Sequence, residues 1–306
     1  MNHQSIAGRW PGLIIGMGLT IVAGLSVHVI MLQGLHVPYP DNSLVGWPAR
    51  YLNVALAMLA TILFNTMASS RLDTYSRLVR SVLVFLIFSM LHEALIRAAV
   101  MDGVVTTAWT YSFLSNLPVL LTNLVICILI VWVSPSLRLV WQKIVAALIL
   151  AALLWFVCQP LIGLAFSPIL NSLSFLAHDE IYKQPYGWHV LVPAYATFAE
   201  PVVASFVIAF LVWDRLSAML WIRTLQFVLL IMLMKGSIVP TLFYSVYLKL
   251  DLPTAIASEG QFGLETLIVA VMTALVWQYG YSMPRSALRR SGGNVMPAVP
   301  ANGDAA

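Results

Sequence analysis

The sequence predicts an all-α polytopic membrane helix bundle of eight transmembrane helices, and three observations predict it. Of the 306 residues, 60% are hydrophobic and 9% charged, which leaves too few polar side chains to clothe a water-soluble globule. Apolar stretches of about 20 residues, the length that crosses a hydrocarbon core as helix, begin near residues 13, 48, 80, 113, 143, 189, 221 and 262. Lys and Arg are segregated by these stretches. With the N-terminus inside, Arg9, Arg71, Arg77, Arg80, Arg138, Lys143, Arg215, Arg223, Arg285, Arg289 and Arg290 fall on the cytoplasmic side. Only Arg50, Lys183 and Lys249 fall on the other, and Arg97 and Lys235 lie within spans. Short basic loops are retained in the cytoplasm, so both termini are expected inside a bacterial-type inner (plasma) membrane. Trp10, Trp132, Trp141, Trp213, Trp221 and Trp277 near the inner face, with Trp47, Trp109 and Trp188 near the outer, agree with that topology.

Taken in order, span one follows "MNHQSIAGRWPG" without a short apolar region and small-residue cleavage site, so it is read as a retained helix. It carries Gly12, Gly16, Gly18 and Gly24, residues that let helices approach closely, and His28 in its outer half. Span three ends in "SMLHEALIRAAVMDG", placing His92, Glu93 and Arg97 in the outer half. Glu93 and Arg97 stand four apart, one above the other on a helix, with the carboxylate N-terminal to the cation as such pairs prefer. Asn116 opens span four. Cys127 and Cys158, in spans four and five, lie at different depths and predict no disulfide.

Span six carries Glu200 followed by Pro201, and span seven carries Lys235 followed by Gly236 and Pro240. Counting from the outer ends puts Glu200 and Lys235 at about the same depth, roughly 15 to 18 Å down. A direct or water-bridged pair is expected between them. Glu265 is read as one turn into span eight. The long outer loop holds His178, Asp179, Glu180 and His189. The tail, 285–306, is small, polar and rich in Pro and Gly, and reads as disordered.

Residues 1–140 and 141–284 read as two four-helix halves related by a 4+4 parallel repeat. With small gaps, Trp10 meets Trp141, Pro48 meets Pro193, Tyr51 meets Tyr195, Thr61 meets Ser205, Arg71 meets Arg215, Arg80 meets Arg223 and Trp132 meets Trp277. In that register His28 faces Gln159, His92 faces Lys235 and Asn116 faces Gln261, so polar positions meet polar positions. Parallel repeats of this kind recur in transporters.

An ionisable residue inside a span costs about 2.5 to 3.5 kcal/mol on insertion scales and turns inward to a partner or a cavity. The expected site is therefore an extracytoplasm-facing polar cavity with Glu200 and Lys235 as its floor and His28, His92, Glu93, Arg97, Asn116 and Glu265 as its walls. Transport of a small polar or ionic solute, proton-coupled through Glu200, is the leading expectation. An integral membrane enzyme with Glu93 or His92 as base and Arg97 on an anion, and a non-catalytic assembly or sensor subunit, are the alternatives. No H-E-x-x-H, paired Cys or repeated His motif predicts a metal centre, no cofactor is named by the pattern, and nothing points to nucleic acid. The lipid bilayer is the expected partner.

Overall fold

A computed structural model describes residues 10–106, 108–177 and 185–281, and among these every regular element is helical. His178, Asp179, Glu180, Lys183 and the 285–306 tail lie outside the described residues.

Helix α1 spans Trp10–Val29 and continues as a π-helical turn, Ile30–Gly34. It is followed by α2 (Trp47–Leu72), α3 (Arg77–Leu91), α4 (Arg97–Thr106) and α5 (Trp109–Val133). The second part holds α6 (Val140–Leu153), a π-helical turn at Leu154–Cys158, and α7 (Gln159–Ser172). Then come α8 (Trp188–Thr197), α9 (Ala199–Val212), α10 (Leu220–Met234), α11 (Ile238–Phe243) and α12 (Leu252–Val276). The starts follow local chemistry. Pro48, with its φ preset, sits in the first turn of α2. Ser76 caps α3 by accepting from Val79 N, and Asp251 caps α12 by accepting from Thr254 N at 3.2 Å. Hydrogen bonds from the Thr254 side chain and backbone hold the Asp251 carboxyl below the usual carboxylate range.

Six helical runs among the described residues are long and apolar enough to cross a membrane, and α10 with α11 makes a seventh, bent by 85°. The expected span three departs most, and neither α3 nor α4 is among the runs long and apolar enough to cross a membrane. It is not one helix: α3 ends at Leu91, residues 92–96 form a turn, and α4 restarts at Arg97. Glu93 there takes φ +59°, in the left-handed region. Span seven breaks in the same way after Lys235, with Gly236 at φ +67°. Span six is interrupted at Phe198, because Pro201 has no N–H to continue the ladder and crowds the Thr197 carbonyl. Span eight begins ten residues earlier than its hydropathy suggests, at Leu252, so Glu265 lies mid-span rather than one turn in.

The helices pack in recurring pairs. α1 lies on α12 and α5 on α7; α3 on α5 and α10 on α12; α4 on α5 and α11 on α12; α3 on α9 and α10 on α2. Likewise α2 meets α6 as α9 meets α1, and α4 meets α8 as α11 meets α2, while α2 and α9 meet each other. The α1–α12 seam is close because a Cβ on Gly24 would stand 2.7 Å from Val269 and 2.8 Å from Phe198. Gly12 and Gly18 make no such approach.

Candidate functional site

The breaks in spans three and seven face each other, and depth explains why. At about 1.5 Å per residue, Glu93 stands roughly 24 Å above the start of α3 at Arg77, and Lys235 about 22 Å above the start of α10 at Leu220. Glu265 is a similar distance, about 22 Å, from the end of its span at Gly280. All three lie at one level, and they meet. Lys235 Nζ donates to Glu93 Oε1 and lies 3.6 Å from Glu265 Oε1. Arg97 Nε pairs with Glu93 Oε2 at 2.6 Å, the i,i+4 pair expected from the sequence, now spanning the break rather than lying along a helix. Two carboxylates and two cations thus neutralise one another at mid-span. Their side chains are 6 to 21% exposed, so they are in contact rather than arrayed around an open space.

The left-handed backbone at Glu93 makes this arrangement possible. A continuous helix would point Glu93 along α3, whereas the turn at 92–96 presents its carboxylate across to Lys235. A non-glycine residue in this region costs about 1 to 2 kcal/mol, which the two charge-assisted contacts offset.

Glu200 does not pair with Lys235. Its Oε1 accepts from Leu95 N at 2.7 Å, and its Oε2 accepts from Ile96 N at 3.0 Å and Arg97 N at 2.7 Å. These amides are the orphan donors that open α4, and a helix N-terminus favours a carboxylate. Glu200 therefore holds the restart of span three. Asn116 serves the same break from another side, donating from Nδ2 to Ala94 O at 2.5 Å. Arg97 ties the turn to the kink in span six through Ala194 O at 2.6 Å and Thr197 Oγ1 at 3.1 Å, with its guanidinium 5.2 Å from the Phe198 ring centre.

His28 stands apart, packed against Phe262 and Tyr39 with ring centres 4.8 and 6.1 Å away. His92 turns away from the cluster: its Nδ1 lies 3.0 Å from Phe88 O and its ring stacks on Phe88. It lines a cavity of about 360 Å³ between α2, α3, α5 and α7, on the far side of Lys235 and Gly236. Asn53, Thr122, Asn123 and Gln159 supply the other polar groups, and Met58, Phe88, Ile126 and Leu154 much of the apolar wall. Asn53 and Asn123 were not singled out by sequence reasoning, since a lone Asn in an apolar stretch carries no spacing signal. No group of three or more His, Cys, Asp or Glu among the described residues is arranged to hold a metal ion.

A helical chain with this many apolar runs and an ion cluster at mid-span has the architecture of a multi-pass membrane protein. Comparison with known families, with curated proteins and with solved structures gives no match.

Proposed function

We propose that the chain is a carrier of a small polar or ionic solute, with α3 and α4 counted together as a broken span so that eight spans form two four-helix halves. The observation that carries this reading is the pair of breaks. Two spans open at mid-depth, each with a left-handed residue, and the side chains beside them converge on one ion cluster next to a cavity. Discontinuous helices at the midplane expose backbone groups and are the usual builders of solute sites in transporters. The packing pairs support the 4+4 relation, since exchanging the halves turns α3–α9 into α10–α2 and α4–α8 into α11–α2. Contacts at the basic end support it as well: Arg80 reaches Asp73, and Arg223 donates to Ser217 O at 2.7 Å, with Asp73 and Ser217 in register. In this reading α2 and α9 form the seam about which the halves rock. Proton coupling in this reading works through Glu265, whose contact with Lys235 is the longest in the cluster, and not through Glu200, which is held by three backbone amides.

The test needs no known solute. A cysteine replacing Asn53 in the cavity wall, with Cys127 and Cys158 changed to alanine, is treated with a membrane-impermeant maleimide in right-side-out and in inverted vesicles. A carrier that alternates exposes this position to both faces, so labelling is expected in both preparations. Labelling from one face alone would rule out an alternating route and favour an enzyme or sensor open to a single side.

The topology is a separate proposal, resting on the basic bias: an inner-membrane protein with both termini cytoplasmic. A reporter joined after Arg290 is expected in the cytoplasm and one inserted at Asp251 outside it. Both tags on one side would end the eight-span count.

A further inference from the structure

The cavity beside His92 and the ion cluster occupy corresponding places in the two halves. In the register that sets His92 on Lys235, Gly236 falls on Glu93, Gly163 on Leu32 and Val54 on Phe198. The first member of each pair lines the cavity. Of the second members, Glu93 belongs to the cluster, Phe198 packs over Arg97 and Lys235, and Leu32 is 1% exposed. One of the two places is thus filled by larger side chains and the chain's own carboxylate. In the other, Gly163 leaves open space and Val54 stands in for the larger Phe198, while at Gly236 the Asn53 side-chain amide lies 3.0 Å from where a Cβ would be.

We propose that the cavity binds a small apolar carboxylic acid in its protonated form, its carboxyl group taking the place beside Gly236 and His92 that the Glu93 carboxylate takes beside Arg97 and Lys235. This rests on the repeat and narrows the solute of the carrier reading to a carboxylic acid, an ion in water at neutral pH that the cavity takes in its neutral form. Three observations converge on it. The wall is mostly apolar, and the volume lies at the lower end of the range for small-molecule sites. α7, which has no buried residue, lines the cavity with Gln159, Ile162 and Gly163, and an uncharged ligand avoids the cost of carrying a charge in among the apolar helices. The hydrogen-bonding partner is an acceptor: a carbonyl can only accept, so the His92 Nδ1–Phe88 O contact puts a proton on Nδ1, and in the neutral ring Nε2 then carries the lone pair.

No cation is spare for an anion, because Lys235 is committed to Glu93 and Glu265 and Arg97 to Glu93. Around His92 the charged groups are Lys235 and Glu93; α2, α5 and α7 present to the cavity only Asn53, Thr122, Asn123 and Gln159 as polar side chains. The acid O–H donates to Nε2, and its carbonyl oxygen can accept from a side-chain amide. Should the proton cross, the O–H bond breaks as the N–H bond forms, giving carboxylate and imidazolium. The complex holds one proton between them either way.

The probe is 4-phenylbutyric acid, compared with its methyl ester and with 4-phenyl-1-butanol, by calorimetric titration of the full chain in nanodiscs. The acid is expected to bind at least tenfold more tightly than either analogue at pH 5. It should weaken by at least tenfold by pH 7, since a carboxylic acid ionises near pH 4 to 5 and only the neutral fraction enters. Gly163→Leu should abolish this binding while leaving thermal unfolding unchanged, because a Cβ at Gly163 meets nothing within 4 Å. His92→Leu should remove the preference for acid over ester. Tighter binding at pH 7, equal binding of ester or alcohol, or undiminished binding to folded Gly163→Leu would each overturn the proposal. Acid binding with one-sided labelling of the cavity would sustain this site and reject the carrier reading. Two-sided labelling without acid binding would do the reverse.

Discussion

Glu93→Ala is expected to be the most damaging single change in the chain. Removing one partner of a buried ion pair costs about 3 to 5 kcal/mol, because the remaining charge is left uncompensated. Here both Arg97 and Lys235 lose their shortest carboxylate contact together. Alanine also keeps the left-handed backbone without the contacts that offset it. Glu93→Gly should therefore be milder by about 1 kcal/mol, since glycine adopts φ +59° without strain. Adding Arg97→Ala to Glu93→Ala should restore only part of the loss, because Lys235 still keeps Glu265 alone at 3.6 Å. Thermal unfolding of the purified variants, followed by tryptophan fluorescence, checks the order. An alanine variant as stable as the glycine variant would mean that the turn stores no strain.

Glu200→Gln is expected to unravel the start of α4 rather than to leave a folded, inactive protein. The carboxylate accepts three backbone N–H groups on two oxygens. An amide offers one oxygen, and its NH₂ group faces at least one donor with nothing to accept. Each hydrogen bond to a charged group contributes about 1.5 to 3 kcal/mol, and the buried amides have no water to turn to. Hydrogen exchange across residues 93–106 should rise in the variant, with the helices on the far side of the bundle unchanged. Unaltered protection of Leu95, Ile96 and Arg97 would show that the amides do not depend on this carboxylate.

The difference between these expectations and those from the sequence is physical. The apolar runs were legible because transfer of the backbone into hydrocarbon demands long uninterrupted hydropathy. The break in span seven was signalled by Gly236 and Pro240. The break in span three was not, because Glu93 is not a residue that announces a left-handed turn, and the groups that fix it sit on other helices: the Glu200 carboxylate as acceptor, Asn116 and Lys235 as donors. Depth counted along a straight span paired Glu200 with Lys235. The turn at 92–96 instead brings three amides to Glu200 and swings Glu93 across to Lys235. Glu265 was set too shallow because hydropathy placed the start of span eight at residue 262, although "DLPT" at 251–254 carries a capping Asp and a first-turn Pro that mark the true start. The Glu93–Arg97 contact was legible in full, since four-residue spacing survives a one-turn distortion.

The central claim is that the breaks in spans three and seven are held against each other through Glu93 and Lys235. A double-mutant cycle measures this directly, using Glu93→Gln, Lys235→Met and the two combined, with unfolding free energies determined for the full chain in detergent. The account predicts that each single variant is strongly destabilised and that the combined variant regains about 0.5 to 3 kcal/mol relative to the sum of the singles, the range for residues in one ion network. Losses that simply add would contradict it, because two side chains that do not interact cannot lock two broken helices together.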